Sequence, residues 1–202
     1  MAISKAMDLD RLRAEAGACK ACPLWRHATQ TVFGNGSVQA ALMLVGEQPG
    51  NEEDLEGQPF VGPAGFLLMR ALADAGIDRD QVYVTNAVKH FKWEPRGKRR
   101  IHKTPVQREI EACNRWLQAE IACVQPRIIV CLGATAGRAV LGYAVRIGEV
   151  RGVLQSLPDR SGHRVAVTYH PAYVLRQRDS ERFAAAYGEL VEDLIAVARL
   201  VR

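Results

Sequence analysis

Ala41-Leu-Met-Leu-Val-Gly-Glu-Gln-Pro-Gly50 is the stretch on which the fold turns: five apolar residues without a polar break, stopped by glycine and followed by a proline-glycine turn. A short, uninterrupted apolar run bounded by turn residues is a strand buried on both faces, as in parallel sheets covered by helices. Val82-Tyr-Val-Thr85, Arg127-Ile-Ile-Val-Cys-Leu132 and Val165-Ala-Val-Thr168 have the same character. Between these runs, residues 63–75, 105–124 and 134–141 read as helices. A last helix from about Ser180 sets Phe183, Tyr187, Leu190, Leu194, Val197 and Val201 on one face at steps of three or four. The alternation predicts a three-layer α/β/α sandwich around a central, mostly parallel four-stranded sheet. With no repeat and no low-complexity linker, the 202 residues are read as one domain, 1–202.

Composition sets the class. Hydrophobic residues make up 48% of the chain and charged residues 24%, the balance of a soluble globular protein. No run of about 18 apolar residues is present, and MAISKAMDLDRL reads as the start of an amphipathic helix and not as a signal peptide. The expected location is the cytoplasm, with no membrane partner. Five cysteines, an odd number, two of them spaced as Cys19-Lys-Ala-Cys22, suit a reducing compartment and a metal or redox role better than a disulfide framework.

The net charge of +5 is a local matter. From Lys89 to Lys103 there are seven Lys or Arg against one Glu, so this segment alone exceeds the excess of the whole chain. A concentrated basic loop interleaved with Phe91, Trp93 and two histidines points to a polyanion. The plain alternative is a solvated charge run.

In open α/β sheets ligands bind beyond the carboxyl ends of the strands. Those positions carry Gly46-Glu-Gln-Pro-Gly50 with Asn51, then Asn86, then His170-Pro-Ala-Tyr-Val-Leu-Arg176. Each alone is an ordinary turn; together they outline one pocket. GEQPG lacks the spacing of dinucleotide and P-loop fingerprints, and Gly133-Ala-Thr-Ala-Gly137 lacks the phosphate-binding lysine, which weighs against a nucleotide cofactor.

Four ordered motifs, GEQPGNEEDLEGQPFVGPAG from Gly46, TNAVKHF from Thr85, KRRIH from Lys98 and HPAYVLR from His170, resemble the uracil-DNA glycosylase superfamily over residues 19–176. The layout with an N-terminal CxxC is similar to family 4, the iron-sulfur enzymes. The KRRIH insertion resembles the family X branch, UdgX, whose members become covalently attached to DNA after excising uracil. The sequence departs from that pattern at Asn51, where the resemblance leads one to expect an acidic residue.

The resemblance implies uracil-containing DNA, single- or double-stranded, as substrate for a monomer, with roles that the residue chemistry supports. A flipped uracil is read through its polar edge while stacked on a ring. Phe60 supplies the ring, and the Asn86 amide matches O4 and N3. Gly46, Gln48 and Asn51 complete the expected base-binding set. His170, held extended ahead of Pro171, is the expected donor to O2 of the departing base. His102 is the expected nucleophile, with Glu47 orienting it or taking its proton. Lys98, Arg99, Arg100 and Lys103 are expected to repel a proton from His102 and, with Arg176, to hold phosphates. Two other readings stay open: a turning-over family 4-like enzyme in which His102 only touches DNA, and a non-catalytic DNA-binding module.

Cys113 and Cys123 lie ten residues apart on one predicted helix, roughly 15 Å along its axis, so they cannot share one cluster. Cys131 sits inside an apolar run and reads as core. The family resemblance places His90 where family 4 has a cysteine, implying Cys19, Cys22, His90 and Cys113 around a 4Fe-4S cluster. A Cys3His zinc site or a bare CxxC redox motif are the alternatives.

Overall fold

The structure, a computed structural model, describes residues 2–157, 162–177 and 179–201, with the backbone alone at 2–7. In chain order the elements are α1 (Ala2–Gly17), β1 (Asn35–Gly36), β2 (Leu42–Gly46), α2 (Asn51–Glu56), α3 (Pro63–Asp74) and β3 (Val82–Asn86). Then come β4 (Trp93–Arg96), β5 (Arg99–His102), α4 (Gln107–Val124), β6 (Ile128–Leu132), α5 (Ala134–Leu141) and α6 (Ile147–Val150). The chain ends with β7 (Gln155–Ser156), β8 (Arg164–Thr168), α7 (Pro171–Leu175) and α8 (Ser180–Val201).

The four apolar runs are the four parallel strands, in the order β3-β2-β6-β8. The sheet itself has six strands, because β1 and β7 add antiparallel edges of two residues each. Edges that short carry no periodic pattern, which is why the four-stranded reading stopped at the parallel core. Side chains alternate across the strands, and two separate cores result. Met43, Val45, Tyr83, Ile129, Cys131 and Val167 pack on one face with α1, α4 and α5. Leu42, Leu44, Val84, Val130, Leu132 and Ala166 pack on the other with α3, α7 and α8. This is the three-layer sandwich the alternation implied.

The basic segment is the second difference. It is not a loop but a two-stranded antiparallel hairpin, β4 on β5, pairing Trp93 with His102 and Arg96 with Arg99. Gly97 and Lys98 form the two-residue turn, and Gly97 takes φ +60, the left-handed conformation such turns demand. Pro95 and the density of charge hide the strand from a reading of alternation.

Candidate active site

Register in the sheet brings the strand ends together. Gly46 stands opposite Asn86 and Leu132 opposite Thr168, so the carboxyl ends of all four parallel strands finish at one rim. A cavity of about 550 Å³ opens there, with Glu47, Phe60, Asn86, His102, His170 and Arg176 in its wall. That volume is typical of a small-molecule or single-base site.

Asn86 is buried, and its backbone carbonyl accepts the Lys89 ammonium at 2.7 Å. Gly46 has no side chain for a steric reason: a Cβ there would run into the Asn86 amide oxygen and lie 2.7 Å from the Phe60 ring. Phe60 is held with φ 59, a conformation that costs a non-glycine residue on the order of 1–3 kcal/mol. The strain turns its ring toward His170, with centroids 6.4 Å apart and planes 28° from parallel. A ring, an amide and an imidazole therefore converge on one planar site.

His170 opens α7. Its Nδ1 accepts the Ala172 amide at 3.1 Å, which leaves the neutral ring protonated on Nε2, a donor. Burial pushes its pKa down to about 4, helped by the charges of His102 and Arg176, so it is neutral at pH 7.

His102 closes the cavity from the hairpin. Its Nε2 lies 3.4 Å from Glu47 Oε1, and its ring stands 6.1 Å from that of Phe91. Its pKa is lowered chiefly by burial, against the pull of the Glu47 carboxylate and with the help of Arg176. The expected cause, repulsion from Lys98, Arg99, Arg100 and Lys103, is replaced by desolvation and a single cation from α7's end.

The hairpin is fastened at three points. The Gln48 side chain donates to the carbonyls of Lys92 and Lys103, at 3.2 and 3.1 Å, and accepts the Lys92 amide at 3.1 Å. Lys92 reaches Glu109 at 2.9 Å, and Glu109 also accepts the Val106 amide at the start of α4. Arg100 turns inward: its guanidinium donates to Asp54 Oδ2 at 2.6 Å and to Asn51 Oδ1 at 2.7 Å, and covers the rings of Phe91 and Trp93. Asn51 thus stands outside the cavity wall, and Arg100 is engaged by protein groups where a phosphate contact was expected. Lys98, Arg99 and Lys103 remain exposed, Lys103 beside Glu94 at 2.8 Å.

Comparison with known proteins agrees with this geometry. Residues 33–194 match the Uracil DNA glycosylase superfamily. The chain belongs to that superfamily. It is 43% identical to the Type-4 uracil-DNA glycosylase of Thermotoga maritima over 164 residues, 81% of each chain. With the Type-4 uracil-DNA glycosylase of Pyrobaculum aerophilum it shares 37% over 193 residues, 93% of this chain and 92% of the relative. The Type-5 enzyme of the same organism is 31% identical over 176 residues, covering 74% and 71%.

For a member of the uracil-DNA glycosylase superfamily the cysteines then matter. Cys19 and Cys22 pack against the core cluster that contains Cys113, and both act on the Cys113 ionisation. Burial pushes the Cys113 thiol up to about 11, a penalty that a metal's charge reverses. The Lys89 amide already points at its sulfur, 3.2 Å away. His90 lies nearby in sequence, but its Nε2 meets the Thr31 hydroxyl at 2.9 Å, which leaves Nδ1 as the nitrogen for a fourth ligand. Among the described residues no three His, Cys, Asp or Glu side chains converge closely enough for a single ion. The thiols of Cys19, Cys22 and Cys113 are the soft donors that both zinc and iron-sulfur sites use.

Sequence reading missed several residues of this glycosylase-superfamily site. Glu52 and Glu53 line the cavity directly after Asn51, and Glu53 accepts the Gly62 amide at 3.0 Å, fixing the turn that carries Phe60. Gly133 also lines it, with φ +94 and its amide bonded to Thr168 at 2.9 Å. The signal for Gly133 was its place after an apolar run, passed over because GATAG was weighed only as a phosphate loop.

Proposed function

We propose that this chain excises uracil from DNA and remains bonded to the abasic sugar through His102. The observation that carries the reading is the His102 ring in the cavity wall, 3.4 Å from the Glu47 carboxylate and opposite the set formed by Phe60, Asn86 and His170. Uracil enters flipped out of the strand, stacks on Phe60 and exchanges its O4 and N3 edge with the Asn86 amide. Cytosine offers the reverse donor pattern and leaves buried groups unpaired. As the bond from C1′ to N1 breaks, its electron pair leaves with the base, and His170 Nε2–H donates to the oxygen where charge gathers.

The lone pair of neutral His102 then forms a bond to C1′. The imidazolium proton passes to Glu47 and finally to the released base, so the products are free uracil and an N-alkylated histidine. An alkylated imidazole is a poor leaving group for water, so the adduct persists. Lys98, Arg99, Lys103 and Arg176 hold the phosphates that flank the lesion, on single strands and on duplexes, with one protomer per lesion. Arg100 contributes by holding the hairpin, and Gly46 and the Gln48 backbone bound the base site. A 4Fe-4S cluster held by Cys19, Cys22 and Cys113 with His90 belongs to this reading. When bound it supplies a cross-link between the N-terminal segment, the end of β3 and α4.

A second reading rests on the Type-4 relatives: a turning-over glycosylase in which water attacks the sugar with Glu47 or Glu52 at hand. A uracil-containing oligonucleotide run on a denaturing gel separates the two. A heat-stable, shifted protein–DNA band supports the covalent reading, and free abasic product supports the hydrolytic one. Intact DNA contradicts both.

A further inference from the structure

We infer that Thr135 is a positioning residue for Glu47, an inference that rests on the reading of Glu47 and His102 given above. The Thr135 hydroxyl donates to Glu47 Oε2 at 2.5 Å, while the other oxygen of the same carboxylate, Oε1, faces His102 Nε2 at 3.4 Å. The two contacts come from opposite sides of the site. Glu47 follows β2, Thr135 sits in the first turn of α5 after β6, and His102 ends the hairpin. Because β2 and β6 are hydrogen-bonded neighbours buried along their whole length, the hydroxyl anchors the carboxylate to the interior of the sheet. The hairpin that carries His102 is built from largely exposed four-residue strands.

The chemistry gives this arrangement a purpose. A carboxylate joined to the backbone by two rotatable methylenes loses aim unless one oxygen is tied down. A hydroxyl is suited to the tie, since it donates one proton and adds no charge that would compete with His102. Thr135 is not part of the cavity wall. Gly133 makes the placement possible: its φ of +94 turns the chain sharply from β6 into α5, and a Cβ there would crowd the His170 Cβ at 3.3 Å.

The test is a double-mutant cycle on the full chain, with adduct formation on a uracil-containing single strand and uracil release measured in parallel. Thr135→Val keeps shape and removes the proton, and Thr135→Ala serves as a second hydroxyl-free variant should the first fail to fold. Either should slow adduct formation roughly ten- to hundredfold, the range set by a lost hydrogen bond to a charged group. Thr135→Ser should restore the rate to within a few fold. In a Glu47→Gln background the hydroxyl-free variants should add little, because the carboxylate they aim is already gone. Wild-type rates in folded Thr135→Val or Thr135→Ala, no rescue by serine, or additive losses with Glu47→Gln would overturn the assignment. If the wild-type protein releases uracil without forming an adduct, the covalent reading fails while the same cycle on the release rate still decides the role of Thr135.

Discussion

Asp54, fully buried at 0% exposure, receives the Arg100 guanidinium at 2.6 Å and so ties the strand that ends in His102 to the helix after the first parallel strand. Forty-six residues apart in sequence, the two make the hairpin part of the cavity wall and not a free arm. The same carboxylate accepts the Thr29 amide at 2.9 Å, which roots the contact in the N-terminal segment.

Asp54→Ala should therefore act on the hairpin before it acts on the base pocket. The loss of a charge-assisted hydrogen bond to a largely enclosed guanidinium is worth about 3 kcal/mol. Hydrogen exchange should show faster exchange in residues 93–102 and an unchanged core sheet, and adduct formation should fall more than the affinity for free uracil.

A second ion pair is purely interior. Lys89 and Glu120, 1% and 0% exposed, meet at 2.5 Å, and Glu120 also accepts the Tyr83 hydroxyl at 3.0 Å and the Gly34 amide at 2.9 Å. Glu120→Ala strands a buried ammonium, and urea denaturation should report a loss of about 3–5 kcal/mol. The double variant Lys89→Met with Glu120→Gln removes both charges while keeping an acceptor. It should recover most of that loss.

Acid should weaken the protein through His170. Its folded pKa of about 4 lies below the unfolded value near 6.5, so between these limits the unfolded chain binds more protons. Stability is full above about pH 6.5, falls as pH drops through the window, and has lost this contribution below about 4. The contribution is at most about 3 kcal/mol. Arg176 lowers both histidines of the cavity wall, so Arg176→Gln should raise both titration midpoints, measured by NMR of the imidazole protons. Unchanged midpoints would leave burial as the cause at His102, and burial with the His102 charge as the causes at His170.

The proposed cluster makes an analytical prediction. Protein purified without oxygen should be brown and carry iron and acid-labile sulfide, and Cys113→Ser should lose both along with thermal stability. A colourless preparation containing zinc would replace the cluster with a Cys3His zinc site.

The parallel core of the sheet was legible because Leu42–Gly46, Val82–Asn86, Ile128–Leu132 and, after its exposed first residue, Arg164–Thr168 are buried on both faces and so read as apolar runs. Pocket residues that follow those runs were legible by position, as with Glu47, Asn86 and His170. What stayed hidden depended on partners distant in the chain. Arg100 counts as surface charge until Asp54 and Asn51 fold beneath it, and Gln48 holds two hairpin carbonyls that no local pattern associates with it. The partial burial that lowers His102 likewise comes from the fold around its half-exposed ring and not from its charged neighbours in sequence.

Attachment through one imidazole is the centre of the functional reading, and peptide mass spectrometry reaches it directly. Wild-type protein is incubated with a uracil-containing strand, digested with nuclease and protease, and its peptides are sequenced by fragmentation. A deoxyribose remnant on His102, absent in His102→Ala, is the predicted result. A remnant on any other residue, or an unmodified His102 peptide alongside quantitative uracil release, would contradict it.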